Sequence, residues 1–296
     1  MDDPDAAEEE AEMATGRSIH IGLNSVDPQH YDGWDGTLAA CEFDANDMQA
    51  VAESRGFQST KMLTQEATAD AVQAAIEGAA SELSDGDFLF LTYSGHGGQV
   101  PDKNDEEEAD RSDETWVLYD RQLVDDELYA LWAKFQPGVR IFVLSDSCHS
   151  GSVLRKIDDE DPVPNVLAKR ETADAQSPRY RTLPLDVQVK TYRDHRDEYD
   201  EIQKAVPAAS KADVGATVLL ISGCQDDQTS LDGVANGLFT EKWLDAWDKG
   251  AWKGDYPSFH KAILAEMPEN QQPNYMSVGA ANAAFEGQDP LIIDSD

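Results

Sequence analysis

The sequence predicts an α/β protein built on a mainly parallel sheet, and three features predict it. Phe88 to Tyr93, Arg140 to Ser145 and Thr217 to Ser222 are largely continuous apolar runs without alternation, as expected of strands covered on both faces. Residues at helical spacing fill the intervals around them, including Asp125 to Phe135, and such alternation favours parallel pairing through helical crossovers. Each run also ends in a cluster of small polar residues, where the carboxyl ends of neighbouring strands would open on one shared crevice.

The elements follow in order. Residues 1–16 open with MDDPDAAEEEAEM, which has seven acids and no base, and are expected to form a solvated extension outside the fold. Ser18 to Leu23 reads as a first strand, and Leu38 to Ala52 as a helix that Asp35 or Thr37 would cap. Lys61 to Leu63 is a weaker strand. Ala67 to Leu83 is an Ala-rich helix that Ser84-Asp85-Gly86 ends. Helices are expected again at Phe239 to Lys249 and Tyr256 to Met267, with a terminal strand feature near Gln271-Gln272-Pro273-Asn274. Residues 152–215 lack a buried-strand run, hold five of the thirteen prolines, and carry 11 of the 23 Lys and Arg between Arg155 and Lys211. That composition reads as a linker between a longer part, 17–151, and a shorter one, 216–296, of one domain.

A formal net charge of -36 over 296 residues repels phosphate, which argues against nucleic acid as a partner and favours a basic substrate or a saline milieu. No apolar run reaches the roughly 18 residues a membrane span needs. The acidic start is the reverse of a signal peptide, so the expected compartment is cytoplasmic. Cys41, Cys148 and Cys224 are an odd number without a CxxC pair, so no disulfide framework or thiolate zinc site is encoded. Cys41 and Cys224, with no base beside them in sequence, read as buried structural thiols.

Cys148 is different. Phe88 to Tyr93 runs into Ser94-Gly95-His96-Gly97-Gly98-Gln99, and Arg140 to Ser145 into Asp146-Ser147-Cys148-His149-Ser150-Gly151. A cysteine attacks only as thiolate, and an imidazole across the crevice can take its proton, which assigns His96 and Cys148 the roles of base and nucleophile. Gly97 leaves room for a close substrate backbone and offers its N–H to a developing oxyanion, with the N–H of Cys148 as second donor. His149, if the strand's alternation continues, points the other way.

These two motifs resemble the His and Cys motifs of metacaspases, the caspase-like cysteine peptidases. Ser222-Gly223-Cys224-Gln225-Asp226-Asp227-Gln228-Thr229-Ser230 and Gly237-Leu238-Phe239-Thr240 resemble the start of that family's small-subunit region. The resemblance implies a caspase-like αβα sandwich, with 17–151 as its large part and 216–296 as its small part. It implies hydrolysis of peptide bonds after Arg or Lys in protein or peptide substrates, by a monomer. It places an acidic S1 pocket on Asp44 and Asp146, with Ser94 as a third contact, and such a pocket would repel an aspartate substrate. Glu42 and Phe43 depart from the family's small residues near that pocket.

The resemblance further implies a calcium site in the acidic stretch from Asp102 to Glu127, which holds twelve acids and three bases. Asp110, Asp113, Asp125 and Asp126 are its candidate ligands, since calcium takes six to eight oxygens. Glu114 and Asp120 lie in the same loop. Arg111 and Arg155 depart from the calcium-dependent pattern. An enzyme specific for Arg or Lys would also find its own linker suitable, so self-processing is expected between residues 155 and 181. Two rivals remain: a non-catalytic scaffold that binds basic partners through an acidic cleft, and a zinc hydrolase using His96, Cys148 and His149, which the adjacency of the last two disfavours.

Overall fold

A computed structural model of the chain describes residues 13–103, 112–147, 179–206, 214–224, 230–233 and 235–294. In chain order these carry β1 (Gly16–Gly22), α1 (Cys41–Ser54), β2 (Gln58–Leu63), α2 (Ala69–Glu82), β3 (Phe88–Ser94), β4 (His96–Pro101), β5 (Ser112–Val117), β6 (Gln122–Val124) and α3 (Asp125–Trp132). They continue with β7 (Arg140–Asp146), β8 (Arg179–Tyr180), α4 (Leu185–Asp194), α5 (Arg196–Ala205), β9 (Thr217–Ser222), β10 (Leu231–Asp232), α6 (Leu238–Trp247), α7 (Tyr256–Glu266), β11 (Asn274–Gly279) and α8 (Ala283–Gly287).

Six strands form the central sheet in the order β11-β9-β7-β3-β1-β2, all parallel except the edge strand β11. The three apolar runs are its middle. Along β3, Phe88 and Phe90 enter one apolar layer with α1, α6 and α7, while Leu89 and Leu91 enter the other with α2 and α3. Alternate side chains of a strand face opposite sides, so an uninterrupted apolar run is what two helical layers require. Fully burying one such ring stabilises the fold by about 1.5–3 kcal/mol.

A second, antiparallel sheet of β4, β5 and β6 projects from the end of β3. It occupies part of the acidic stretch. Trp116, Val117, Leu123 and Val124 are buried there, and so are the acids Asp113, Asp126 and Glu127, so this part of the stretch builds structure rather than a solvated face.

Three expectations are corrected. Neither Asp35 nor Thr37 caps α1, which starts after Ala40; the Asp232 carboxylate accepts from the N–H of Ala39 at 2.8 Å and of Ala40 at 3.2 Å. The strand expected from Ser18 begins at Gly16, inside the stretch assigned to the acidic extension. The stretch assigned to the linker is folded from 179 to 206. There α4 and α5 bury Val187, Val189, Tyr192 and Tyr199, and Leu183 just ahead of them is fully covered. Charged residues between these anchors mask the pattern. Residues 148–178 and 207–213 lie outside the described set.

Candidate active site

Parallel pairing in register brings Ser94, the last residue of β3, opposite Asp146, the last of β7. His96 follows Ser94 by two positions, and Cys148 follows Asp146 by two. Both chain segments therefore leave the sheet side by side at the same level. Cys148 itself, with His149, lies outside the described residues.

His96 is buried at the start of β4. Its Nε2 lies 2.9 Å from the Gly36 carbonyl oxygen. That oxygen can only accept, so Nε2 carries the proton and Nδ1 is left with the lone pair. Among the described residues Nδ1 makes no hydrogen bond. Burial pushes the imidazole down to about 4, and the Arg181 charge acts in the same direction. At neutral pH His96 is therefore an uncharged base. Trp34 packs edge-on against its ring at 4.7 Å.

The three expected pocket residues come together around a side chain that the sequence reading left in the linker, Arg181, which is fully buried. Its Nη1 donates to Ser94 Oγ at 2.9 Å and to Asp146 Oδ2 at 2.7 Å. Its Nη2 donates to Asp44 Oδ2 at 2.7 Å and to Asp232 Oδ1 at 3.2 Å. A planar fork with carboxylates on both arms is the arrangement a guanidinium favours. Phe43, by contrast, is exposed, so that departure from the family pattern points away from the pocket.

The carboxylates are fixed before they meet the cation. Asp44 Oδ2 accepts from Ser94 Oγ at 2.7 Å, and its Oδ1 from Gly237 N–H at 3.0 Å and Asn236 Nδ2 at 3.1 Å. Asp146 accepts from Ser230 Oγ at 2.7 Å and from Thr240 N–H and Oγ1 at 3.2 and 2.8 Å, in the first turn of α6, where a helix favours negative charge. Burial raises the Asp44 carboxyl above its ordinary range; Arg181 opposes that shift and Asp146 adds to it. Gly237 has to be glycine, since a Cβ there would lie 2.5 Å from the Arg181 guanidinium.

The backbone at Arg181 is held as well. Its N–H donates to the Ser230 carbonyl at 3.0 Å, and its carbonyl accepts from Gly97 N–H at 3.0 Å. Gly97 is the residue assigned to the oxyanion site.

Asp232 and Arg181 are the pocket residues that the sequence reading missed. Asp232 has one signal in retrospect: it follows Ser230 by two, at the end of the small-subunit motif. Of the calcium candidates, Asp110 lies outside the described residues, and Asp113, Asp125 and Asp126 do not gather into a group of three that could share an ion. Their neighbour Glu127 is paired with Arg121 through both oxygens, at 2.8 and 2.9 Å, and Asp120 accepts from the N–H of Ala69 at the start of α2. One such group does exist among the described residues, His30, His195 and Glu198, with the two imidazoles stacked at 4.0 Å. Cys41 and Cys224 are buried, as expected, and burial pushes the Cys41 thiol up to about 12.

An αβα sandwich with a buried neutral imidazole and an acidic pocket at the strand ends defines a caspase-like protein. The chain belongs to the caspase-domain family, peptidase C14, whose pattern it matches over residues 26–284. It is similar to Metacaspase-1 of Mycosarcoma maydis, 30% identical over 76% of this chain, and to Metacaspase-1 of Candida albicans, 30% identical over 88%. The chain aligns with 59% and 60% of the length of those fungal proteins. The fold is also that of protein GSU0716 from Geobacter sulfurreducens, whose crystal structure superposes with a TM-score of 0.82 at 47% identity, covering 95% of this chain and all of that one.

Proposed function

We propose that this chain is a cysteine endopeptidase that hydrolyses peptide bonds after Arg or Lys, with Cys148 as nucleophile and His96 as base. One observation carries the reading: a guanidinium lies in the pocket of Asp44, Ser94, Asp146 and Asp232 while the carbonyl of the same residue rests on the Gly97 N–H. That is the geometry a substrate with Arg before the scissile bond requires.

In this reading His96 Nδ1 takes the thiol proton, and sulfur attacks the carbonyl carbon. Gly97 N–H holds the oxyanion, a contact whose loss in other acyl-transfer enzymes costs about 10²–10³ in kcat. The proton passes from His96 to the leaving amine, and water then hydrolyses the thioester. Two arms of the fork are engaged by acids on different elements, so Arg is favoured over the point charge of Lys. The density of acids from Asp102 to Glu127 supports calcium as an activator.

The test is turnover of fluorogenic peptides bearing Arg, Lys or Asp at the cleaved position, with and without calcium. Hydrolysis in the order Arg, Lys, with none for Asp, and loss in Cys148→Ala, is the expected result. Binding of basic peptides without any turnover would support the scaffold reading instead. Titration calorimetry of Cys148→Ala with calcium separately decides the activator, no heat above buffer removing it.

A further inference from the structure

We propose that His30, His195 and Glu198 form a site for a divalent transition ion of the zinc class, and that this ion ties the loop of residues 27–36 to the junction of α4 and α5.

The three side chains come from two places far apart in sequence. His30 lies in a turned loop after β1, where its N–H and that of Tyr31 donate to the Asp27 carbonyl at 3.1 and 3.3 Å. His195 is the single residue between α4 and α5, and Glu198 follows it by three, which sets the two side by side at the start of α5. Packing brings loop and helices together. Tyr31 shares an apolar cluster with Val187 of α4, and Lys190 Nζ donates to Asp32 Oδ2 at 2.7 Å. One ligand atom from each of the three residues lies within 4.8 Å of the others, and the two imidazoles stack at 4.0 Å.

The donor set suits zinc and not calcium. Two imidazoles and a carboxylate, with water in the fourth position, make a four-coordinate zinc shell, whereas calcium takes six to eight oxygens. His195 Nδ1 is 3.3 Å from Glu198 Oε2, and two atoms bonded to one tetrahedral zinc lie about 3.3–3.5 Å apart. A ligating imidazole gives its other N–H to a fixed oxygen. Tyr199 OH is such an oxygen for His30: it lies 2.9 Å from Nε2 and is itself held by the Gln122 N–H at 3.1 Å.

Neither access nor charge stands in the way. The side chains of His195 and Glu198 are 32% and 45% exposed, so an ion reaches them from solvent and they are free to rotate onto it. The Arg121 charge that reaches His30 is engaged by both oxygens of Glu127, at 2.8 and 2.9 Å. An ion here acts on the loop and not on the reacting atoms. Further along the same loop, Trp34 packs on His96 and the Gly36 carbonyl orients it.

The experiment titrates full-length Cys148→Ala chain, stripped of metal by a chelator, with zinc chloride in a calorimeter, and repeats this for His195→Ala and Glu198→Gln in the same background. Without the Cys148 sulfur, no free thiol at the proposed nucleophile competes for the ion. The expected result is a tightest step of one zinc per chain. His195→Ala should weaken it at least about a hundredfold, because losing an outer partner alone costs about 10–100-fold, and Glu198→Gln at least about tenfold. Zinc should raise the melting temperature of the parent and leave that of His195→Ala unchanged. X-ray absorption at the zinc edge should show two imidazoles and oxygen. Prior saturation with calcium should leave the zinc step in place. Glu198→Gln changes a largely exposed side chain and decides the matter if His195→Ala loosens the fold. Equal zinc affinity in all three proteins, a zinc edge without imidazole, displacement by calcium, or no uptake by the parent overturns the inference and leaves the peptidase reading standing.

Discussion

Asp232 Oδ1 lies 3.2 Å from Arg181 Nη2, and the same carboxylate receives the N–H groups of Ala39 and Ala40. One side chain thus joins the bound cation to the start of α1, the helix that carries Asp44. It also reaches the end of the loop whose Gly36 carbonyl orients His96. Under the proposed reading, the guanidinium of a substrate would meet this carboxylate in the ground state and the transition state alike.

Asp232→Asn is accordingly expected to raise KM for Arg peptides with little change in kcat. A hydrogen bond to a charged group contributes about 1.5–3 kcal/mol, which is roughly ten- to a hundredfold in affinity. Steady-state kinetics with Arg peptides checks this, and a change confined to kcat would contradict the assignment.

Arg181 is fully buried between Asp44, Asp146 and Asp232. Removing one partner of a buried ion pair costs about 3–5 kcal/mol, because the charges left behind lose their compensation. Arg181→Ala should therefore melt well below the uncut Cys148→Ala protein when measured in the same inactive background. Benzamidine, a free cation of the right shape, should recover part of that loss in Arg181→Ala and shift the parent little. Equal shifts in both proteins would mean that the pocket does not accept a guanidinium from solution.

Phe90 stacks on Phe142 at 5.6 Å and Trp243 at 6.5 Å, with Phe57 edge-on at 6.2 Å. Phe90→Ala empties the layer between the sheet and α6 and should cost about 3–5 kcal/mol. Denaturant unfolding gives the number. A loss below that of an exposed substitution such as Phe43→Ala would contradict the packing.

His20 is buried, with Nδ1 2.9 Å from Thr92 Oγ1 and Nε2 3.0 Å from Ser18 Oγ. Burial, helped by the Lys61 charge, lowers it to about 3 from an ordinary 6.5. Between those values the unfolded chain binds a proton there and the folded chain does not. Stability from this group is thus complete above 6.5 and falls as pH drops toward 3. His20→Gln should flatten the acid limb of the melting temperature against pH, relative to wild type, without altering its neutral plateau.

Much of the fold was legible because the central strands are apolar on both faces: Phe88 to Tyr93 admits few other readings, and its Gly-rich end announced the site. His96, and the expectation that Asp44, Ser94 and Asp146 meet, came through the motifs. Asp44 alone would have passed for a solvated helix residue. Arg181 was not legible. It lies among prolines and charges, and what makes it a pocket residue is contact with Asp44 across 137 positions, which no local pattern encodes. The same holds for the start of α1, where Asn24 Oδ1, from beyond the end of β1, accepts from the Glu42 N–H as Asp35 or Thr37 was expected to do.

The partner that steers the His96 imidazole is a main-chain oxygen, at Gly36, a residue with φ of 59°. No replacement can delete a peptide carbonyl; it can only be re-aimed by bending the turn that bears it. Changing that acceptor therefore means changing the shape of residues 33–36, and Gly36→Ala, strained at that φ, would re-aim it without removing any functional group.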